Sequence, residues 1–125
     1  MILVDTSIWI AHFRAADEAL RQQLATQDVM THPFIIGELA VGQLRQRDII
    51  LAELHRLPRS ETASDSEVLH FIGQERLMGM GIGYIDAHLL AAVRLTRGAT
   101  LWTRDRRLAD VADRLGLAWG RTARR

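Results

Sequence analysis

Short apolar runs that end at polar or turn-forming residues mark the predicted strands of this chain. The first run covers residues 2–5, where Ile, Leu and Val follow one another before Asp5. Further runs cover 28–31, 99–103 and, more briefly, 117–119. Apolar runs without polar alternation are typical of strands buried on both faces, as in parallel sheets. The pattern therefore predicts a small, mostly parallel sheet in the interior.

Amphipathic helices are predicted between these strands, because apolar side chains recur there at spacings of three and four residues. The predicted helices cover residues 7–13, 17–26, 33–44, 49–57, 64–77, 84–97 and 106–115. Pro33 suits the first turn of its helix, and Gly98 suits a helix end. Strands that alternate with helices predict a three-layer α/β fold with a central, mostly parallel sheet. We expect residues 1–125 to form a single domain, since no repeat or linker divides them.

Two aspartates, Asp5 and Asp105, each follow a predicted buried strand. The carboxyl ends of parallel strands meet along one edge of a sheet, where ligand sites form, so these acids are candidates for a shared site. Each aspartate could instead only cap the helix that follows it, because aspartate is a preferred N-cap and its charge suits the helix dipole. Taken singly, neither aspartate decides between the two interpretations.

Two further acids, Glu38 and Asp86, lie on predicted helices with apolar residues one turn before and after them. For Glu38 these neighbours include Val41. We therefore expect both carboxylates to be buried, and a buried carboxylate without a partner is costly. Arginine partners would satisfy them, but neither apolar face carries an arginine. We therefore interpret Asp5, Glu38, Asp86 and Asp105 together as ligands of a hard cation.

Such an acidic cluster suits phosphodiester hydrolysis, in which divalent cations stabilise the attacking and leaving oxygens. Three hydroxyl residues, Thr6, Ser7 and Thr103, adjoin the ends of the predicted strands and are candidates for positioning water or phosphate. Helix capping is the competing role for each of them. Trp102 is expected to belong to the core rather than to form a base-stacking platform, and the histidines are expected to be structural or to lie at the surface.

Composition narrows the chemistry further. The chain has no cysteine, which excludes thiolate metal sites and cysteine nucleophiles, and all 16 basic residues are arginine. The first apolar run is too short for a signal peptide or a membrane span, so we expect a cytoplasmic protein with no membrane association. Arginines crowd the final segment, which suits a polyanionic partner or, equally, a solvated helix face and tail. These are Arg104, Arg106, Arg107, Arg114, Arg121, Arg124 and Arg125.

With these residues in view, the chain resembles PIN-domain ribonucleases, and more narrowly the VapC-type toxins of bacterial type II toxin-antitoxin systems. The resemblance runs nearly from end to end and rests on four motifs in order. These are Asp5-Thr6-Ser7-Ile8-Trp9-Ile10, Ile36-Gly37-Glu38-Leu39, Gly83-Tyr84-Ile85-Asp86-Ala87-His88-Leu89-Leu90-Ala91 and Leu101-Trp102-Thr103-Arg104-Asp105.

The resemblance implies a PIN fold and an endoribonuclease that depends on Mg²⁺ or Mn²⁺, with Asp5, Glu38, Asp86 and Asp105 as its metal-binding and catalytic acids. It also implies a homodimer and neutralisation by a cognate VapB-type antitoxin whose C-terminal segment enters the acidic groove. Many relatives place a further acid shortly after the fourth, where this chain has Arg106-Arg107-Leu108. The resemblance therefore supports one metal ion better than two.

The main alternative is a catalytically inactive PIN-like module that binds RNA or a protein. All four acids are present, which favours the enzyme. Two other classes with strand-end aspartates fit poorly: a receiver domain needs a lysine, which this chain lacks, and a dehalogenase-type phosphatase needs an aspartate where Ser7 stands.

Overall fold

The computed structural model describes residues 1–120, in which three strands are separated by two and then four helices and a seventh helix follows the last strand. The strands are β1 (Ile2–Val4), β2 (Val29–Met30) and β3 (Thr100–Trp102). The helices are α1 (Thr6–Arg14), α2 (Glu18–Ala25), α3 (Pro33–Val41), α4 (Arg47–Arg56), α5 (Asp65–Gln74), α6 (Tyr84–Leu95) and α7 (Arg106–Arg114). The predicted fold class is thereby confirmed.

The sheet is parallel, and β1 lies at its centre in the order β2-β1-β3. Leu3 pairs with Met30 on one side and with Leu101 on the other. All three residues of β1 are buried, although successive side chains of a strand point to opposite faces. Both faces of the sheet are therefore covered, as the unbroken apolar run predicted.

Single parallel bridges extend the sheet at both edges, Thr31 to Arg59 beyond β2 and Leu101 to Ala118 beyond β3. The strand predicted at 117–119 is thus only one bridge, in which Leu101 N–H donates to Leu117 O and Trp119 N–H to Leu101 O. The bridge at Arg59 was not predicted, because no apolar run surrounds it.

Side chains that accept backbone N–H groups fix where several helices begin. Asp5, Asp17 and Asp105 cap α1, α2 and α7, and Ser64 forms a capping box with Glu67 at α5. Three helices end two or three residues before their predicted limits, at Val41, Gln74 and Leu95. No helix among residues 1–120 is both long and apolar enough to cross a membrane.

Candidate active site

Asp5 stands at the carboxyl end of β1, and its side chain is only 7% exposed. Its Oδ2 atom accepts hydrogen bonds from Thr103 Oγ1 at 2.7 Å and from Ser7 Oγ at 2.8 Å, with Ser7 N–H at 3.4 Å. The aspartate backbone is also held, since Asp5 N–H donates to Trp102 O at 2.9 Å. The carboxylate is therefore fixed in position by Ser7, in the first turn of α1, and by Thr103, directly after β3.

The hydroxyls of Ser7 and Thr103 also tie the neighbouring loop to this carboxylate. Ser7 Oγ accepts Arg104 N–H at 3.0 Å, and Thr103 Oγ1 accepts Asp105 N–H at 3.1 Å. The two hydroxyl oxygens lie 3.3 Å apart. Asp105, the N-cap of α7, is thereby held near the end of β1, so this edge of the site is built from the carboxyl ends of the paired strands β1 and β3.

Glu38 departs from the prediction, because its side chain is exposed rather than buried. The buried face of α3 consists of Ile35, Ile36 and Leu39, whereas Val41 is 89% exposed. An apolar neighbour therefore does not mark a buried face here, since much of a protein surface is apolar. The Glu38 carboxylate still faces the end of β1: Thr6 Oγ1 donates to Glu38 Oε1 at 2.6 Å.

Asp86, in the first turn of α6, is partly buried. Burial is the main cause that raises its pKa, and the charges of Asp5, Asp105 and Glu38 raise it further. A hydrogen bond from Gly83 N–H to Asp86 Oδ2, 3.1 Å long, opposes that rise. All three other predicted acids thus act electrostatically on Asp86, which brings the four into one cluster.

Asp5 and Asp105 can each cap a helix and belong to the acid cluster at the same time. Asp105 Oδ1 accepts Leu108 N–H at 3.1 Å while the residue itself is exposed. Asp5 caps α1 with its Oδ2 atom, which accepts Ser7 N–H. Within residues 1–120 capping engages one oxygen of each carboxylate, which leaves the other oxygen available to a ligand.

The donor set of the cluster fits a hard divalent cation. Across residues 1–120, no arginine or histidine forms an ion pair with any of the four acids. In the same part of the chain, no three acidic or histidine side chains are grouped closely enough to hold an ion as they stand. In kind, the carboxylate oxygens are the ligands that Mg²⁺ and Mn²⁺ prefer.

The site also uses residues that the sequence did not single out. Gly83 holds Asp86 through its backbone, and the Gly-x-x-Asp spacing is that of a capping box, a signal that could have indicated it. His88 is buried and structural: its Nε2 lies 3.1 Å from Asp65 Oδ1, which also accepts from Tyr84 Oη at 3.0 Å. These contacts fasten the beginning of α5 to α6. Three of the C-terminal arginines, Arg121, Arg124 and Arg125, lie outside the described residues.

A parallel α/β fold with an acidic cluster at the carboxyl ends of β1 and β3 defines the class of protein. The sequence profile of the PIN domain matches residues 2–114, and the chain belongs to the PIN-domain family. The chain is also similar to two proteins named Ribonuclease VapC32, from Mycobacterium tuberculosis strain CDC 1551 / Oshkosh and strain ATCC 25618 / H37Rv. Each is 47% identical to it over 118 residues, which cover 94% of this chain and 95% of the relative.

Proposed function

We propose that the chain is an endoribonuclease toxin of the VapC type, which hydrolyses RNA phosphodiester bonds with Mg²⁺ or Mn²⁺. The observation that carries the proposal is the cluster of four carboxylates, which has no cationic partner within residues 1–120. The printed name of the relatives, ribonuclease, supports the reaction and RNA as the substrate.

Asp5, Glu38, Asp86 and Asp105 are the proposed metal ligands. A bound divalent cation would supply charge stabilisation for the phosphate oxygens and a lower pKa for water. The remaining residues orient the carboxylates: Thr6 holds Glu38, and Gly83 holds Asp86. We propose one ion as the minimum, because Arg106, Arg107 and Leu108 occupy the positions where many relatives carry a further acid.

Ser7 and Thr103 act on Asp5 in this proposal. Both hydroxyls donate to the same oxygen, Oδ2, so the other oxygen of Asp5 is directed away from them. Such outer contacts commonly set the orientation of metal-binding carboxylates. Positioning of water or phosphate by Thr6, Ser7 and Thr103 remains a prediction, since here the Thr6, Ser7 and Thr103 hydroxyls donate to carboxylates.

The test is cleavage of a structured RNA by the purified chain with Mg²⁺, with Mn²⁺ and with EDTA. We expect cleavage only with metal, and a fall of at least about 100-fold in Asp5→Asn, because one ligand of the ion is lost. Asp28→Asn is the matched control, since Asp28 adjoins the amino end of β1 and pairs with the chain amino group at 3.5 Å. Unchanged cleavage in EDTA contradicts metal dependence, and RNA binding without cleavage supports the inactive module.

We further propose a homodimer and a VapB-type antitoxin that neutralises it. A groove of about 740 Å³ between α1, α3 and α4 reaches Glu38 and fits an extended antitoxin segment. Its wall includes Ile10, Phe13, Arg14, Leu39, Arg45 and Ile50. Sedimentation tests the dimer. Inhibition of cleavage by the protein encoded beside this gene tests the antitoxin, and Phe13→Asp is expected to abolish that inhibition while cleavage persists.

A further inference from the structure

Two tryptophans lie side by side at the outer edge of β3. Trp102 and Trp119 have ring centroids 4.3 Å apart, at an interplanar angle of 39°. Because Leu101 pairs with Ala118 in parallel register, the residues that follow them fall on one face of the sheet edge. Both rings are partly exposed, so the expectation that Trp102 is simply a core residue is incomplete.

Helix α7 faces this tryptophan pair and leaves a groove of about 420 Å³. Arg106 and Ala109, one turn apart on α7, line the groove together with both tryptophans. The small side chain of Ala109 keeps the groove open. Its volume lies within the range of roughly 300–1,000 Å³ that is usual for ligand pockets.

The groove adjoins the acid cluster through one residue, Thr103. Thr103 lines the groove and also donates to Asp5 Oδ2 at 2.7 Å. Arg104 and Arg106 supply positive charge beside the negative cluster, and neither has an acidic partner within ion-pair distance in residues 1–120. A ligand that spans both regions therefore meets carboxylates at one end, and aromatic faces with free guanidinium groups at the other.

We propose that this groove is a nucleotide subsite, which binds an unpaired base of the RNA against the Trp102–Trp119 pair and an adjacent phosphate with Arg106. Tryptophan faces stack on bases of any sequence, and the guanidinium fork matches phosphate oxygens. The proposal rests on RNA hydrolysis at the acid cluster and extends it. The arginines, and the hydrogen bond from the groove residue Thr103 to Asp5, favour the substrate strand over a protein segment as the occupant.

The test measures binding rather than cleavage. The full chain with Asp5→Asn, which keeps the probe intact, is titrated with labelled oligouridylate in Mg²⁺ and followed by anisotropy and by quenching of tryptophan fluorescence. Trp119→Ala is expected to raise Kd about 5- to 150-fold, the range for loss of one base stack. Trp119→Phe retains a stacking face, so Kd stays near the parental value while quenching diminishes.

Two further variants separate the phosphate contact and the space in the groove. Arg106→Ala is expected to reduce the slope of log K against log salt by about 0.7, the value for one phosphate of a single strand. Arg97→Ala removes the same charge near the amino end of β3 and should leave the slope unchanged. Ala109→Leu fills the groove without removing a ring or a charge, and should weaken binding as Trp119→Ala does.

The proposal is overturned if Trp119→Ala and Ala109→Leu both fold, as judged by circular dichroism and thermal unfolding, and both retain the parental Kd. It is equally overturned if these variants alter only self-association or antitoxin binding, which would make the groove a protein interface. The test measures binding and not cleavage. Its result can therefore be interpreted even if the chain shows no metal-dependent hydrolysis.

Discussion

Single hydroxyl groups connect the carboxylates of the site to the sheet beneath them. Thr103 has two such contacts, since its Oγ1 donates to Asp5 Oδ2 at 2.7 Å and accepts Asp105 N–H at 3.1 Å. A valine at this position keeps the shape of the side chain but supports neither contact. One oxygen atom therefore contacts the carboxylate of Asp5 and the backbone of Asp105, which are both proposed metal ligands.

We predict that Thr103→Val lowers the affinity for Mn²⁺, or kcat, by about 10- to 100-fold, the usual effect of losing an outer contact to a metal ligand. Thr103→Ser retains the hydroxyl and should recover most of the loss. Thr100→Val makes the same change near the amino end of β3 and serves as the control. Equal activity of Thr103→Val and the parent chain would contradict the positioning role.

A second prediction for a single residue concerns His32. It is fully buried, and its Nδ1 accepts Phe34 N–H at 3.0 Å to cap α3. Burial is the main cause that lowers the pKa of His32 from 6.5 to about 4, and the charges of His88 and Arg59 add to it. The native state thus holds a neutral ring at pH values where the unfolded chain binds a proton. Above the unfolded pKa of 6.5 the titration of His32 does not reduce the free energy of unfolding. As the pH drops from 6.5 towards about 4, protonation of the unfolded chain lowers this free energy.

The expected loss at about pH 5 is on the order of 2 kcal/mol relative to neutral pH. His32→Asn can still cap the helix, because asparagine is a good N-cap, but it does not titrate. Urea unfolding of both chains across this range measures the difference. If the two pH profiles are parallel, His32 is not the source of the acid sensitivity.

The helices illustrate which parts of the fold can be predicted from sequence and which cannot. Caps are local, so the beginnings of α5 and α7 follow from Ser64 and Asp105. The buried face of α3 does not follow, because apolar residues occur all around this helix and Val41 on its surface resembles a core residue. Periodicity identifies a face only when polar residues occupy the other face. The prediction that Glu38 is buried was therefore wrong.

The turn between α5 and α6 depends on a glycine, Gly81, whose replacement should change the stability of the fold. Gly81 has φ +79°, and a Cβ placed there would lie 2.6 Å from Cδ and Nη1 of Arg107. Gly81→Ala should therefore destabilise the fold by about 1–2 kcal/mol through the left-handed backbone, while the exposed Arg107 side chain can move aside at little cost. Gly73→Ala, inside α5 with open space around it, should instead stabilise by about 0.5–1 kcal/mol.

Denaturant unfolding of the two alanine variants measures whether the free energy of unfolding falls in Gly81→Ala and rises in Gly73→Ala. The double change Gly81→Ala with Arg107→Ala separates backbone strain from the steric contact, since only the first remains in it. A single Gly81→Ala variant as stable as the parent chain would contradict the left-handed conformation.

For the whole molecule, topology accounts for the meeting of acids that are far apart in sequence. Parallel pairing of β1 with β3 places Asp5 and Asp105 at one edge, and this could be predicted from the apolar runs. The edge bridges at Arg59 and Ala118 could not be predicted at their observed length, since a single pair leaves no periodic pattern. The groove beside Trp102 was missed because Trp102 was expected to be a core residue.

The acid cluster should also lower the stability of the metal-free protein. Burial and three neighbouring carboxylates raise the pKa of Asp86, so its ionised form opposes folding near neutral pH. Asp86→Asn removes that charge while its side-chain oxygen can still accept Gly83 N–H. We predict a higher Tm than the parent chain in EDTA, measured by calorimetry.

Addition of Mn²⁺ should reverse this order. An ion at about 100 times its Kd stabilises the parent chain by about 2.7 kcal/mol, whereas Asp86→Asn lacks a ligand and gains less. The control Asp28→Asn retains the whole cluster and should gain as much as the parent. A metal-induced shift of the same size in Asp86→Asn would show that the ion binds elsewhere. The opposite responses in EDTA and Mn²⁺ would identify these carboxylates as a site that costs stability until a cation binds.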